Sequence, residues 1–182
     1  NQGLTTAQVV ALTTAQAAAL STAQVQQGLS TAQVAALETR DLAAMTTTQI
    51  AALTTAQVNQ GLTTDQIVAL TTAQVQQGLT TAQVQQGLST AQVAALETRD
   101  LAAMTTTQIA ALTTAQVQQG LSTAQVAALT TAQVQQGLTT AQINQGLTTA
   151  QVVALTTAQA AALSTAQVEQ GLTTTQVAAL ET

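Results

Sequence analysis

Residues 53–70, L-T-T-A-Q-V-N-Q-G-L-T-T-D-Q-I-V-A-L, decide the fold, because both forms of one short repeat stand there side by side. The long form has nine residues and ends in Gly, and the short form has eight and ends in Ala. On both sides of this stretch, a Leu or Met begins a new module every eight or nine residues along the 182-residue chain, and we call this residue the anchor. A repeat of this kind predicts stacked modules and no single globular core.

Each module carries the residues that begin a helix. A Ser or Thr follows the anchor, and a Gln stands three residues later, which is the spacing of a capping box in which side chain and backbone hydrogen-bond reciprocally. The anchor and the Val or Ile after the Gln then hold the two positions of a hydrophobic staple. We therefore predict one short helix per module. Representative cap pairs are Thr5 with Gln8, Thr54 with Gln57, and Thr113 with Gln116.

The extra residue of each long module is a Gly. It stands where a helix would end, and a left-handed conformation at that position is the usual way to end one. We predict that these glycines adopt positive φ, whereas the closing Ala of a short module, such as Ala69, stays right-handed. The predicted helix stops are Gly28, Gly61, Gly78, Gly87, Gly120, Gly137, Gly146 and Gly171.

Helices of one or two turns are not stable alone, since an isolated helix needs about 12–15 residues even to be marginal. Modules that stack and share an apolar interior can be stable, which is the physics of a solenoid. We predict an all-α solenoid with Leu, Val, Ile and Ala inside and with Thr, Ser and Gln outside. Two alternatives stay open: a β-solenoid, because Thr and Val favour strands, and one long continuous helix.

Two modules replace the cap pattern with E-T-R-D-L. Since Glu is a poor N-cap, we expect the helix that begins near Thr31 to continue to about Ala44, and the one from Thr90 to continue to Ala103. Their carboxylates permit a docking or calcium site, although a solvated charged face with local ion pairs is the simpler interpretation. The charged residues are Glu38, Arg40, Asp41, Glu97, Arg99 and Asp100.

Composition excludes several classes of function. Net charge is −5, and Arg40 and Arg99 are the only cations, so the chain cannot neutralise a run of phosphates and we expect no nucleic-acid partner. Thr and Gln interrupt every apolar run, so we expect no membrane insertion. His, Cys and Lys are absent, and the abundant Ser and Thr are explained as caps. We therefore expect no enzyme activity, cofactor, metal site or small-molecule substrate.

The order of the modules indicates recent duplication. Residues 26–58 recur identically at 85–117, and residues 1–25 recur identically at 144–168. We interpret residues 1–182 as one continuous array and as a segment of a longer one. Both ends of the sequence fall inside modules, so we expect the array to continue or its ends to stack on other copies.

The modules L-T-T-A-Q-V-x-A-L and L-E-T-R-D-L-A-A-M resemble repeats of very long Thr/Ala/Gln-rich proteins of proteobacteria, and this resemblance covers the whole chain. It implies a secreted or surface-associated bacterial protein that serves as an extracellular fibre, stalk, sheath or adhesin shaft. We therefore expect a structural rod or filament whose partners are other copies of itself. The alternative is a binding module in which rows of Thr and Gln recognise a repetitive target such as a polysaccharide or ice.

Overall fold

The computed structural model describes residues 4–180, so the partial modules at Asn1–Gly3 and Glu181–Thr182 lie outside it. Within the described range each module forms one short helix, and no residue is in a strand. The prediction of an all-α solenoid of short helices is confirmed. The β-solenoid and the single continuous helix are both wrong.

The first of two compact units is Asn1–Ala95. Its helices have five or six residues, and the Gly-ended modules finish in the wider turn of a π-helix. The α-helices are Thr6–Val10, Thr14–Ala18, Thr31–Ala36, Thr39–Ala44, Thr47–Ala52, Thr64–Ala69 and Thr90–Ala95, and the π-helices are Gln24–Gly28, Gln57–Gly61, Gln74–Gly78 and Gln83–Gly87.

The second unit is Leu96–Thr182 and is built in the same way. The α-helices are Thr98–Ala103, Thr106–Ala111, Thr123–Ala128, Thr149–Val153, Thr157–Ala162 and Thr174–Leu180, and the π-helices are Gln116–Gly120, Gln133–Gly137, Gln142–Gly146 and Gln167–Gly171.

The two forms of the module differ in the bond that closes the helix. In the short module of Ile67, the N–H of Leu70 donates to the Ile67 carbonyl three residues back, at 3.3 Å. In a long module the next anchor reaches five residues back, as when Leu62 N–H donates to the Gln57 carbonyl at 3.0 Å. The ninth residue therefore widens the last turn into a π-helical turn, which is the usual form of a one-residue insertion in a helix.

Within each unit a helix packs against the helix three modules earlier. In the first unit Gln57–Gly61 contacts Thr31–Ala36, and in the second Gln133–Gly137 contacts Thr106–Ala111. The side-chain hydrogen bonds between modules join residues 28 to 34 positions apart. Each unit therefore forms coils of between three and four modules, and within a unit each coil rests on the one before it.

Anchors and the β-branched residues after each Gln form the interior. Leu53 and Val58 show the pattern, with 3% and 0% of their surface exposed. Because five-residue helices cannot persist alone, this shared apolar interior supplies the stability of each module.

The expectation of longer helices through the E-T-R-D-L modules is wrong. Helix Thr31–Ala36 ends before Leu37, which is extended at φ −61° and ψ 133°, and a new helix, Thr39–Ala44, begins after Glu38. Leu37 and Leu42 are both buried. On one continuous helix two residues five apart point about 140° away from each other, so the break is what brings both into the interior.

Candidate functional site

The contact between successive coils is made by the capping-box glutamine, which the sequence analysis places on the outside. Gln57 performs two tasks: its Oε1 accepts a hydrogen bond from the Thr54 N–H at 2.7 Å, and the Thr54 hydroxyl accepts from the Gln57 N–H at 3.1 Å. Its Nε2 donates to the carbonyls of Val25 at 2.8 Å and Leu29 at 2.6 Å. One side chain thus begins its own helix and closes the end of a helix one coil earlier.

The same bridge recurs in both units. In the second unit Gln159 accepts from the N–H of Thr156 at 2.7 Å and donates to the carbonyls of Val126 at 3.0 Å and Leu129 at 2.6 Å. Further glutamines whose amide nitrogens donate to main-chain carbonyls of an earlier coil are Gln49, Gln66, Gln74, Gln83, Gln92, Gln133, Gln142, Gln151, Gln167 and Gln176.

Placing these capping-box glutamines outside is therefore wrong, since the bridging glutamines named above are 2–3% exposed. The terminal carbonyls of every helix lack partners within that helix, and burying them without a donor is costly. The amide group supplies both an acceptor for the N–H of its own helix cap and a donor for these carbonyls. This outcome removes the capping-box glutamines from the surface proposed for binding a repetitive target, whereas the glutamines before each Gly, such as Gln76 and Gln85, stay exposed.

The cap pairs are arranged as the spacing predicts. The Thr5 hydroxyl accepts from the Gln8 N–H at 3.3 Å. In the second unit the Thr113 N–H donates to Gln116 Oε1 at 2.7 Å, and the Thr113 hydroxyl accepts from the Gln116 N–H at 3.1 Å. Sequence spacing therefore locates these helix starts, and it does not reveal the second set of bonds that Gln makes.

The predicted left-handed glycines are wrong: no described residue has positive φ. Each Gly within residues 4–180 is the last residue of a π-helix. Those that lie against the helix three modules earlier are Gly61, Gly78, Gly87, Gly137, Gly146 and Gly171. A Cβ on Gly61 would lie 3.0 Å from Val34 Cβ and 3.1 Å from the Thr31 carbonyl oxygen, and one on Gly137 would lie 3.0 Å from Ile109 Cβ. Gly is required at these two positions because the neighbouring helix comes too close to leave room for a Cβ.

In the charged modules one acid is exposed to solvent and the other is buried. Arg40 Nε lies 2.6 Å from Glu38 Oε2 and 3.8 Å from Asp41 Oδ1, and Arg99 makes the same 2.7 Å pair with Glu97. Asp41 holds the position of the bridging Gln and is 0% exposed, and neither of its oxygens has a hydrogen-bond donor.

Asp100 holds the corresponding position in the second unit, at 3.5 Å from Arg99 Nε and 1% exposed. The interpretation as a solvated face therefore fits the exposed Arg and Glu residues and is wrong for Asp41 and Asp100. Within residues 4–180 no group of three or more His, Cys, Asp or Glu side chains is placed to hold a metal ion.

The model of the ALTTAQ repeat family matches residues 34–72 and 93–131. The chain is a Thr/Ala/Gln-rich repeat protein. Both matched stretches contain an E-T-R-D-L module and the capped modules that follow it. Neither a search of curated proteins nor one of solved structures returns a match. In the part of the chain that the structure describes, no helix has the length and apolar character needed to span a lipid bilayer.

Proposed function

We propose that this repeat protein is a structural element, a shaft or filament whose length is set by the number of modules and which extends by head-to-tail assembly of copies. The observation that carries the proposal is the glutamine bridge, because the same contact joins each coil to the one before it within both units. A contact that repeats without change can be extended by any number of coils, as in other solenoids. The surface carries few charges that would oppose such stacking.

No catalytic step is part of this proposal. The first Ser or Thr of each regular module caps a helix, and the sequence has no His, Cys or Lys that could activate a hydroxyl as the usual base. Following its resemblance to long bacterial repeat proteins, we assign the shaft to the outside or the surface of a bacterial cell. Labelling of intact cells with an antibody against the repeat would test that assignment.

The test of the structural role is the scaling of size with module number. In the test variant, a second copy of residues 26–84 is inserted after Val84. The insertion joins Val84 to Gln26, and this junction has the native sequence because residues 26–58 are identical to residues 85–117, which normally follow Val84. The copy then ends at its own Val84 and continues into Gln85 as in the native chain. If coils simply add, the long dimension of the monomer grows by about a third, in proportion to chain length, whereas a compact globule would grow by only about a tenth.

Small-angle X-ray scattering at low protein concentration measures this growth, and negative-stain electron microscopy displays it directly. Growth by about a tenth would contradict the role of a shaft. Loss of helical circular dichroism in the longer variant would contradict the additive stacking on which the proposal rests.

A further inference from the structure

Asp41 interrupts the row of bridging glutamines in the first unit. In the module before it Gln33 Nε2 donates to the Leu4 carbonyl, and in the module after it Gln49 Nε2 donates to the Leu20 carbonyl, in both cases 29 residues earlier. Asp41 holds the same position between these two bridges, but it has a carboxylate and no amide nitrogen that could donate. One contact between the coils is therefore made by different chemistry.

The neighbouring bridge shows which carbonyls Asp41 faces. Gln49 also donates to the Ala17 carbonyl, 32 residues earlier, at 3.1 Å. At the same offsets of 29 and 32 residues, Asp41 lies opposite the carbonyls of Leu12 and Val9. The Asp side chain is one methylene shorter than Gln and reaches about 1.5 Å less far, so we expect its oxygens about 4 Å from these carbonyls.

The charge on Asp41 is not balanced within its own module. Arg40 Nε lies 2.6 Å from Glu38 Oε2, whereas it lies 3.8 Å from Asp41 Oδ1, beyond hydrogen-bond distance. One positive charge thus stands against two carboxylates, and the excess negative charge is on a side chain that is 0% exposed and accepts no hydrogen bond. Because a buried ion without a partner is strongly unfavourable, this carboxylate favours a positive partner of unit charge.

The oxygens that meet at this place are all acceptors. The Asp41 carboxylate and the carbonyls of Val9 and Leu12 have no proton to donate. A water molecule that bridges two such oxygens holds them about 4.5 Å apart or more. A cation such as Ca²⁺, with ligands at about 2.3–2.6 Å, accommodates oxygens about 4 Å apart, and Na⁺ has nearly the same radius. Distance and chemistry together favour a cation.

We infer that the Asp41 carboxylate and the carbonyls of Val9 and Leu12 bind one monovalent cation of the size of Na⁺ between two coils of the first unit. The cation takes the place of the glutamine amide, since it supplies the positive end that these carbonyls need. Charge selects a monovalent ion, because one excess carboxylate neutralises one positive charge and a divalent ion would leave another one buried.

This inference goes beyond the proposed structural role, and it departs from the expectation that the chain has no metal site. A site built from one carboxylate and main-chain carbonyls does not need a group of three or more acidic side chains, of which none occurs within residues 4–180. The regular modules join coils without any solute. The joint at Asp41 would instead strengthen as the concentration of the cation rises.

The test compares the melting temperature of the 182-residue chain in sodium chloride and in choline chloride at equal concentration. Both salts have the same ionic strength, but choline is too large to lie between these oxygens. At a sodium concentration ten times the dissociation constant, binding to the folded state alone shifts the folding equilibrium about tenfold. For a chain of this length the melting temperature, followed by circular dichroism, should rise by about 3–6 °C.

Two double variants remove the site in different ways, and both include Asp100 because its module has the same sequence. Asp41→Asn with Asp100→Asn removes the charge and keeps the side-chain shape, so it should melt at the same temperature in the two salts. Asp41→Gln with Asp100→Gln should also lose the sodium response. In choline chloride it should melt above the unmodified chain, because an amide donor then does the work of the cation.

The matched control is Asp65→Asn, which removes an exposed carboxylate from the same unit. It should keep the full sodium response. Nuclear magnetic relaxation of sodium reports binding directly, since an ion held by protein oxygens relaxes faster than a free one. We expect faster relaxation with the unmodified chain and the Asp65→Asn control than with either double variant.

Equal melting temperatures of the unmodified chain in the two salts would overturn the inference, as would a sodium response that persists in both double variants. Greater stabilisation by calcium chloride than by sodium chloride at equal ionic strength would overturn the assignment of a monovalent ion. None of these outcomes affects the growth of the monomer with added modules, which tests the shaft separately.

Discussion

Gln57 Nε2 lies 2.6 Å from the carbonyl oxygen of Leu29, 28 residues earlier in the chain, and this bond joins one coil to the next. The same glutamine holds its own helix start through Oε1. Local helix formation and stacking of coils are therefore coupled through one amide group. A substitution that separates the two tasks shows how much stability each provides.

Gln83→Glu is expected to separate them. The carboxylate can still accept the N–H of Thr80, but it cannot donate to the carbonyls of Ile50 and Leu53, which now receive a bond from Gln83 at 2.9 and 2.6 Å. We expect a loss of about 2–3 kcal/mol in unfolding free energy at neutral pH, because a buried charge faces unsatisfied acceptors. Urea denaturation at neutral pH measures the loss.

The sign of the pH dependence is a further check on the Gln83→Glu variant. Once protonated, the introduced carboxyl can donate one hydrogen bond, so the variant should regain stability as pH falls and lose it again as pH rises through the raised pKa of this buried group. Gln85→Glu, at an exposed position of the same module, is the control and should change stability little. Equal losses at the two positions would contradict the bridge.

Thr113→Ala should remove a helix cap. The Thr113 hydroxyl accepts the Gln116 N–H, and loss of such a cap costs about 1 kcal/mol. Thr114→Ala changes the adjacent residue, which is also partly exposed and makes no cap, and it should have little effect. Chemical denaturation measures the unfolding free energy of both variants, and equal losses at the two positions would contradict the capping role.

Gly61→Ala should destabilise the chain by about 1–3 kcal/mol, because the added Cβ would overpack the contact with Val34. Gly28 provides the matched control within the same unit: a Cβ there would meet only Gln24 Cβ at 3.8 Å. Gly28→Ala should be neutral or gain up to about 1 kcal/mol, since Ala is the better helix former. Thermal unfolding of the two variants tests whether the contact with Val34 is the reason for Gly61. Equal destabilisation by both variants would indicate that the backbone conformation at the end of the π-helix requires Gly, and not close packing.

Asp41→Gln should stabilise the first unit. The Asp41 carboxylate is buried without a hydrogen-bond donor, whereas a Gln would cap its helix and reach the carbonyls of Val9 and Leu12 at the offsets of 32 and 29 residues that Gln66 shows. We expect a gain of about 1–2 kcal/mol in unfolding free energy, measured by urea denaturation. Asp65→Gln, at an exposed site, should have no comparable effect, and a loss of stability at position 41 would indicate that the carboxylate has a partner in solution.

Several features follow from the sequence because they depend on residues within a few positions of one another. The Thr113–Gln116 spacing predicts the helix start, and the Leu53–Val58 spacing predicts which side chains are buried. The all-α fold follows from these local rules, since a capped helix of one to two turns can persist only when stacked. The positions at which the long modules end, Gly61 and Gly137, also follow from the sequence, although the conformation there does not.

Other features were decided by the tertiary structure, because the groups responsible lie far apart in sequence. Gln57 is buried, against the expectation that it faces solvent, because acceptors 28 and 32 residues earlier need a donor. Gly61 is right-handed, and it is Gly because Val34 comes too close for a Cβ. The helix break at Leu37 occurs because Leu37 and Leu42 must both reach the interior. The sequence by itself thus determined where each helix begins, and only the stacking of coils determined which side chains join them, since that choice depends on unpaired carbonyls that no local pattern reveals.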